Sequence, residues 1–412
     1  MISLEAQKLA QERAARMKAA IELREPDRVP FMGVAGDVVA AYSGLTSYEF
    51  NFDYEKSLQA TIKFLTDFPS DGVMFGGMSN VCNLVMCIAF ADYPDLATSM
   101  FMVTGPLNDI LGVKYCRFPG RELDEDSSPQ FIGDIYMQPE EYDELIADPV
   151  KFSMEKMIPR TVTNLQDLGS PTALATMARW GMEKARQNAE MMRLGAEMAK
   201  LGYPPSTGAF AYAPLDYIGD FLRDIPSLIL DLRRYPDKVK AACESILEVL
   251  LKITLEHKKL GAEMAMFPLH LNEYLSPELY KEFFWPTLKE FVLRLREHGM
   301  RSEIFFEGRH DPHLETILEL PAGWGTAYFE KTDIRKAKKL LQGHTCIMGG
   351  LEAGVVIGST PAQIDEHVKR LLGDMMPGGG FILCLDVANL PRNTPIENIA
   401  AVYEAVEKYG KY

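Results

Sequence analysis

The sequence lacks the cysteine and charge patterns that mark several protein classes. Its six cysteines are scattered over 412 residues and form no Cys-x-x-Cys pair, which excludes a zinc ribbon and argues against a disulfide framework. Basic residues are outnumbered, and the net charge is −15 at pH 7. A general electrostatic hold on nucleic acid or anionic lipid is therefore not expected, and we expect neither nucleic acid nor membrane as a partner.

Long apolar runs are also missing. No segment runs 18 apolar residues without a charge, which is the length that a membrane-spanning helix needs. The first 24 residues carry charges throughout, unlike a signal peptide. The glycine run "PGGGF" (377–381) has no Gly-Lys-Ser/Thr and is a turn rather than a phosphate loop. These absences predict a cytoplasmic protein that acts on small molecules or on other proteins.

The sequence does contain short β-rich runs that alternate with helical patterns. Ser276-Pro277 and Thr360-Pro361 each provide an N-cap residue followed by a proline at the first helical position. Strand and helix alternating eight times predict a (β/α)8 barrel, a TIM barrel, as one domain over residues 1–412. The eight runs are "RVPFMGV" (28–34), "DGVMFGG" (71–77), "STGAFAYAP" (206–214), "EMAMFPLHL" (263–271), "RSEIFFEG" (301–308), "GTAYFEK" (325–331), "TCIMGGLE" (345–352) and "GGFILCLD" (379–386).

The spacing of the runs is uneven at one place. About 130 residues separate the second run from the third, which is more than one crossover helix needs. We predict a mostly helical insertion over residues 115–203 between strands 2 and 3, with a separate small domain as the alternative. Residues 1–24 are predicted to form an N-terminal helix.

Three of the eight strand ends carry side chains that suit zinc: His270, Glu307 and Cys384. Chemistry in such barrels lies at the carboxyl ends of the strands, and a catalytic zinc ion uses three protein ligands with one open position. Asp386 is a rival to Cys384, since it lies two residues further along the same strand and on the same face.

Each of these residues also has a purely structural interpretation. His270 is equally typical of a packed histidine that donates to a carbonyl, Glu307 of an ion pair with Arg309 or a lysine, and Cys384 of a small buried hydrophobe. His310 and His313 follow Gly308 in "EIFFEGRHDPHLE" (303–315) and are expected to lie in a loop that faces water.

Several segments resemble the uroporphyrinogen decarboxylase superfamily, in the correct order over nearly the whole chain. They are "ELREPDRVPFMG" (22–33), "SDGVMFGG" (70–77), "GAFAYAPLDYIGD" (208–220), "LSPELYKEFFWPTLKEFV" (275–292), "CIMGGLEAGVVIGSTPAQIDEHVKRLL" (346–372) and "GGGFILCLDVANLPRNTPIENIAAVYEAVEKYG" (378–410). The resemblance implies a (β/α)8 barrel and one of two chemistries: decarboxylation of uroporphyrinogen, or zinc-dependent methyl transfer that involves a corrinoid.

The sequence departs from both subfamilies at informative positions. The Arg-Gln-Ala-Gly-Arg stretch of true decarboxylases is absent after the first strand. The His-x-Cys-Gly of the corrinoid methyltransferases is replaced, with Phe305 and Glu307 at the His and Cys positions. The chain is similar to a longer branch that keeps a histidine at the end of strand 4 and Glu-Gly at the end of strand 5, which His270 and Glu307-Gly308 match.

The resemblance therefore implies a methyltransferase that demethylates a small methoxy or methylamine compound. One zinc ion on His270, Glu307 and Cys384 is the implied Lewis acid, and the cobalamin of a separate corrinoid protein is the methyl acceptor. Tyr212 and His310 are the candidate proton donors, and Asp37, Tyr212 and Asp216 are the candidate substrate-binding residues. A metal-free decarboxylase or lyase for a small carboxylic acid and a non-catalytic ligand-binding protein are the alternatives.

Overall fold

A computed structural model describes residues 2–73, 77–205 and 208–412 of the chain. Within these ranges eight parallel strands lie inside the eight β-rich runs of the sequence. They are β1 Met32–Gly33, β2 Gly72–Val73, β3 Gly208–Phe210, β4 Met264–Leu269, β5 Arg301–Phe306, β6 Gly325–Phe329, β7 Cys346–Leu351 and β8 Phe381–Leu385.

The strands pair in chain order. β3 to β8 form a six-stranded parallel sheet, and β1 pairs with β2 in parallel. A parallel bridge between Phe31 and Leu383 joins the chain just before β1 to β8. Residues 74–76 of the second predicted run and 206–207 of the third lie outside the described residues. The fold is the predicted (β/α)8 barrel.

The two faces of each strand belong to different cores, as the period-2 alternation of a strand requires. On β5, Ile304 and Phe306 pack in the large core between sheet and helices, whereas Phe305 belongs to a second cluster with Tyr328 of β6 and Cys384 of β8. Because this second cluster draws alternate residues from β5 to β8, it fills the barrel interior.

The helices surround the barrel and include both predicted caps, since Ser276 accepts from the Leu279 amide and Thr360 from the Gln363 amide. The α-helices are Leu4–Ile21, Asp37–Tyr42, Ser47–Phe52, Tyr54–Asp67, Leu84–Ala89, Pro94–Met100, Gly105–Leu111, Tyr142–Ala147, Pro149–Phe152, Ile158–Thr161, Pro171–Lys200, Pro214–Tyr217, Ile225–Arg234, Pro236–Lys259, Pro277–Leu279, Trp285–Glu297, Ile334–Leu341, Ala353–Gly358, Pro361–Met375 and Ile396–Tyr409. Wider π-helical turns occupy Ser153–Met157, Ile218–Arg223 and Tyr280–Phe284, and 3-10 turns occupy Pro139–Glu141, Thr163–Leu165, Leu271–Tyr274 and Asp311–Glu319.

The helix Leu4–Ile21 closes the amino end of the barrel. Its Ala20 is fully buried in the interior cluster, and Glu22 just beyond it lies 3.7 Å from Arg301 at the start of β5. Arg16 of this helix pairs with the buried Asp71 before β2 and with Asp27, at 2.6 Å from the latter. A binding site in the barrel is therefore expected at the opposite end, where the carboxyl ends of the strands lie.

The chain between β2 and β3 is mostly helical and also contains two short antiparallel pairs, Val81–Cys82 with Met102–Val103 and Cys116–Arg117 with Gln130–Phe131. The helix Pro171–Lys200 buries Trp180, Gln187 and Leu194, which repeat every seven residues along one face. The division of this region at residues 115 and 203 stays a prediction. Within the described ranges, no helix is both long and apolar enough to cross a membrane.

Candidate active site

His270 directly follows Leu269, the last residue of β4, at the carboxyl end of that strand. Its ring faces the end of the neighbouring strand β5. Its Nε2 is 3.5 Å from Oε1 of Glu307, which directly follows β5. Both side chains are about one-third exposed, at 32% and 33%. The structure therefore brings two of the three predicted metal ligands together, at an accessible point of the barrel mouth.

The other nitrogen of His270 is held by a buried carboxylate. Nδ1 lies 2.6 Å from Oδ2 of Asp220, and because a carboxylate only accepts, the Nδ1 hydrogen donates to it. The Tyr212 hydroxyl donates to the same Asp220 oxygen at 2.6 Å and lies 3.1 Å from Nδ1. Asp220 thus fixes the orientation of the imidazole so that Nε2 faces Glu307.

This environment sets the charge of His270. Burial disfavours the imidazolium, but the charge and hydrogen bond of Asp220, followed by those of Glu307, outweigh it and raise the pKa of His270 well above its usual value. In the structure as it stands, Asp220 and Glu307 therefore favour the protonated form of His270, and a metal ion on Nε2 would have to displace that proton.

Asp216 supports the same turn from beneath. It is fully buried and accepts the backbone N–H groups of His270 at 3.3 Å and Leu271 at 2.9 Å. Burial raises the pKa of Asp216 to about 8; the His270 charge and the two amides oppose this rise, and the Asp220 charge adds to it. Its contacts place Asp216 behind His270 and not on an open surface.

Glu307 is placed by a tight turn. The next residue, Gly308, has φ +67°, a conformation that favours glycine, and its N–H donates to Glu330 at 2.5 Å. The Glu307 carbonyl accepts from Nδ2 of Asn272 at 2.8 Å. Since Asn272 follows His270 by two residues, this bond ties the ends of β4 and β5 together.

Cys82 is a further neighbour of this group. It belongs to the short strand Val81–Cys82, after β2. Burial raises the pKa of its thiol to about 12; the charge of His270 opposes the rise, and the charges of Asp220 and Glu307 add to it. Cys82 is thus within electrostatic reach of His270, Asp220 and Glu307.

The third predicted ligand lies elsewhere. Cys384 is 1% exposed in the interior cluster with Phe305 and Tyr328. Burial raises the pKa of its thiol and so disfavours the thiolate form that binds metal. Asp386 accepts the Ala353 N–H at 2.8 Å at the ends of β7 and β8. The structure does not bring Cys384 to His270 and Glu307, because the side chain of Cys384 fills the barrel interior below the strand ends.

The expectation that His310 and His313 face water is wrong. They are 0% and 2% exposed, because the chain after Gly308 turns inward as the 3-10 segment Asp311–Glu319. The ring of His313 stacks on Tyr280 at 4.2 Å, and its Nε2 donates to the Asn272 carbonyl at 3.0 Å. Burial, and to a smaller extent the charge of His313, lowers the pKa of His310 well below its usual value, so His310 is a neutral side chain enclosed by protein.

Asp37 lies on the other side of the barrel mouth. Its carboxylate accepts from the Ser128 hydroxyl and from Nδ2 of Asn389, the latter at 3.2 Å, and its N–H donates to the Asn389 side chain at 2.8 Å. These bonds join the loops after β1 and β8 to the insertion. Asp37 is buried at 2% exposure and contributes to that junction.

The geometry of His270 and Glu307 fits two ligands of one zinc ion. Ligand atoms about 2.1 Å from a tetrahedral zinc ion are about 3.4 Å apart, close to the observed 3.5 Å. A carboxylate on the second imidazole nitrogen, here Asp220, is the usual support of such a ligand. Across the described part of the chain, however, no group of three or more His, Cys, Asp or Glu side chains is arranged to hold a metal ion. The pair fits a metal, and the third ligand is not identified by this geometry.

Two residues that the sequence did not single out complete the site. Asp220 lies in the π-helical turn Ile218–Arg223, eight residues after Tyr212, and Asn272 lies in the 3-10 turn after β4. Asp220 lies beyond the strand end, whereas Asn272 lies at the end of β4 but has no role assigned from the sequence. The signal available was the local density of polar residues in "YAPLDYIGD" (212–220).

Comparisons with known proteins agree with this fold. The family model for uroporphyrinogen decarboxylase (URO-D) matches residues 160–409. The uroporphyrinogen decarboxylase of Coxiella burnetii is 25% identical over 183 residues, 43% of this chain and 50% of that protein. The uroporphyrinogen decarboxylase of Danio rerio is 27% identical over 188 residues, 44% of this chain and 49% of that protein. The chain spans about half the length of these curated relatives.

A solved structure matches over more of the chain. A methyltransferase from Methanosarcina mazei has a TM-score of 0.61 and 14% identity, with 96% of this chain and 98% of that chain covered. At this identity the likeness concerns the fold. Because the family model covers more than half of the sequence, the chain belongs to the uroporphyrinogen decarboxylase (URO-D) family.

Proposed function

We propose that the chain is a methyltransferase that demethylates a small methoxy or methylamine compound and passes the methyl group to the cob(I)alamin of a separate corrinoid protein. The observation that carries the proposal is the orientation of His270, with Nδ1 held by Asp220 at 2.6 Å and Nε2 facing Glu307 at 3.5 Å. This is the arrangement of a metal-ligating histidine, and it lies at the end of the barrel where chemistry takes place.

His270 and Glu307 would hold one zinc ion, which supplies a Lewis acid for the heteroatom that loses the methyl group. Cys384 stays the proposed third ligand. It lies in the interior cluster, so its side chain has to move toward the strand ends to reach a metal on His270 and Glu307. A site of one imidazole, one carboxylate and one thiolate leaves the metal more electrophilic than a two-thiolate site. That donor set favours polarisation of a substrate oxygen.

The remaining residues act through His270. Tyr212 and Asp220 orient its ring, and Asp216 fixes the backbone of its turn. We keep Tyr212, Asp216, Asp37 and His310 as proposed site residues, with Tyr212 and Asp216 as positioning residues. Asp37 and His310 would act through the loops that they join, since both are buried.

A metal-free decarboxylase or lyase for a small carboxylic acid is the second candidate. It is favoured by the imidazolium character of His270, whose pKa is raised by Asp220 and Glu307. In that reaction a charged His270 would protonate the carbon that loses carboxylate, and zinc would have no part.

Elemental analysis of the purified protein separates the two candidates. We expect about one zinc ion per chain. His270→Ala and Glu307→Ala are each expected to weaken zinc binding roughly ten-fold or more. The reason is that loss of a residue that only supports a ligand already lowers metal affinity about 10-fold to 100-fold, and loss of the ligand itself costs more. Cys384→Ser is expected to weaken zinc binding as well. Stoichiometric zinc in both His270→Ala and Glu307→Ala contradicts the site.

A further inference from the structure

The helix Pro171–Lys200 has an apolar face that points to solvent. The opposite face of this helix packs on the protein and buries Trp180 and Leu194. On the solvent side, Leu174 is 70% exposed, Met182 75% and Met192 78%. Single exposed apolar residues are ordinary on a protein surface, whereas a continuous apolar patch marks a surface that binds a partner.

The exposed apolar residues form one stripe along the helix. They recur at intervals of three and four residues, which places them on the same side of an α-helix. A Cβ atom added at Gly181, beside the stripe, would meet no described atom within 4 Å, so no described part of the chain covers this side of the helix. The apolar stripe consists of Leu174, Ala178, Met182, Ala185, Ala189, Met192 and Ala196, all of them exposed.

The order of large and small residues makes the stripe complementary to itself. Along the chain it reads large, small, large, small, small, large, small, and in the reverse direction every large residue meets a small one. In an antiparallel pair of these helices centred on Ala185, Leu174 of one copy lies at the level of Ala196 of the other copy. Met192 lies in the same way at the level of Ala178. An interface around a two-fold axis requires this kind of self-complementarity.

The third large residue fits the same pairing. Met182 of one copy lies within one residue, about 1.5 Å along the axis, of the level of Ala189 of the other. An alanine opposite each large side chain lets the two helices approach to about 8–10 Å, the ordinary distance between packed helix axes. The side chains of one copy can therefore fill the gaps between those of the other.

The charges beside the stripe are mostly balanced within the chain. Arg179, Arg186 and Arg193 lie along one border. Arg186 is 3.8 Å from Glu183, and Arg193 is 2.5 Å from Glu55, so two of the three arginines bring their own carboxylates. Apolar contact is then the driving force of association, and the net charge of −15 opposes it through long-range repulsion, which salt screens.

The size of the face is enough for a weak specific interface. A helix of 30 residues is about 45 Å long and, with its side chains, about 10–12 Å wide. Two such faces in contact bury roughly 1,000 Å² in total, which is the lower limit for a specific interface. A dimer of this kind is expected to have a Kd in the micromolar range.

We infer that the helix Pro171–Lys200 binds the same helix of a second copy of this chain, antiparallel and with Ala185 on the two-fold axis. Sedimentation velocity of the full chain from roughly 1 to 100 μM, a range that brackets the expected Kd, is expected to show a monomer–dimer equilibrium. Association is expected to strengthen as salt is added, because the two acidic chains then repel each other less.

Charge substitutions on the stripe test the surface. Ala185→Glu and Met182→Glu each place a carboxylate in the apolar contact and are expected to raise the Kd roughly ten-fold or more. Both positions are exposed in the single chain, so the fold is retained, which circular dichroism verifies. Thr172→Glu, exposed on another side of the same helix, introduces the same charge and is expected to leave the Kd unchanged.

Cysteine substitutions test the direction of the pair. Ala185→Cys is expected to form a disulfide-linked dimer on mild oxidation, because a residue on the two-fold axis faces its own copy. Leu174→Cys alone is not expected to do so, since the two introduced thiols lie about 33 Å apart in the antiparallel pair, far beyond the reach of a disulfide. Leu174→Cys mixed with Ala196→Cys is expected to form the linked pair.

Three outcomes overturn the inference. A monomer over the whole concentration range leaves the stripe to a different partner, a dimer that Ala185→Glu leaves intact places the interface elsewhere, and self-linking of Leu174→Cys as fast as that of Ala185→Cys makes the pair parallel. These measurements require neither zinc nor methyl transfer, so their result is independent of the proposed function.

Discussion

At the scale of single residues, the account depends on the charge and orientation of His270. Asp220 is the buried carboxylate that sets both, because it holds Nδ1 at 2.6 Å and is the first group that opposes the effect of burial. A histidine oriented in this way presents Nε2 to a ligand, and removal of the carboxylate is expected to release it.

We predict that Asp220→Asn lowers the pKa of His270 toward or below its usual value, since burial then acts with less opposition. NMR titration of the seven histidines, with the His270 signal assigned from His270→Gln, measures this change. Asp237→Asn, an exposed carboxylate on a neighbouring helix, serves as the control. An unchanged His270 pKa in Asp220→Asn contradicts the account.

A second prediction concerns the pH dependence of stability. The folded chain raises the pKa of Asp216 from 3.8 to about 8 and that of His270 well above 6.5, so both groups bind more protons folded than unfolded. Their contribution is complete below the unfolded pKa values and is lost as pH rises through the folded ones, by at most about 1.4 kcal/mol per pH unit for each group.

Urea unfolding across pH 6.5 to 8 is therefore expected to show falling stability, with both groups acting in this window. Asp216→Asn removes one of the two contributions, so the free energy of unfolding decreases less steeply with pH in this variant. The prediction is wrong if the free energy of unfolding of the wild type rises with pH in this window and that of Asp216→Asn rises equally.

At the scale of elements, the ends of β4 and β5 are joined by a buried polar cluster. Asn272 is fully buried, donates to the Glu307 carbonyl at 2.8 Å and accepts from His313 through its own carbonyl at 3.0 Å. The cluster keeps His270 and Glu307 at a fixed separation although each belongs to a different strand end.

Asn272→Leu is expected to lower the free energy of unfolding by about 1–3 kcal/mol, because it leaves the Glu307 carbonyl without its donor. The same variant is expected to weaken zinc binding, while Asn80→Leu, outside this cluster, leaves zinc binding unchanged. Loss of stability with full retention of zinc affinity would confine Asn272 to a structural role.

The N-terminal helix gives a further prediction. Arg16 is 6% exposed and pairs with the buried Asp71 and with Asp27, so Arg16→Met leaves a buried carboxylate with Arg28 as its remaining partner. We expect a loss of about 3 kcal/mol, measured by chemical denaturation. Lys18→Met on the same helix, 67% exposed, is expected to change stability by less than about 0.5 kcal/mol.

The sequence predicts the elements better than it predicts the site. All eight strands are predicted because apolar alternation and turn residues are local signals. The proximity of His270 and Glu307 follows from the barrel topology, which places strand ends together, and their role as metal ligands stays a proposal. Asp220 and Asn272 receive no role from the sequence because they lie on turns whose direction is set by tertiary packing. The inward turn of His310 brings its ring against Phe306, four residues earlier, and against Tyr280, which belongs to the segment after β4.

At the scale of the whole molecule, the barrel has one closed and one open end. The helix Leu4–Ile21 fills the amino end through Ala20. His270 and Glu307 lie at the carboxyl end, as does a cavity of about 810 Å³ lined by residues such as Arg309, Glu330 and Asp386. In the proposed reaction, a substrate and a corrinoid partner would therefore meet at the same opening. This arrangement suits a reaction in which a small molecule gives up a group to a bulky acceptor.

The most direct test of the account is methylation of cob(I)alamin, followed by its absorbance, with a panel of methoxy and methylamine compounds. The wild type and the Asp237→Asn control are expected to transfer a methyl group at equal rates. His270→Ala and Glu307→Gln are each expected to lose roughly 100-fold in rate, about 2.7 kcal/mol. Wild-type rates in both variants, or no transfer by the wild type from any compound, would contradict the central claim.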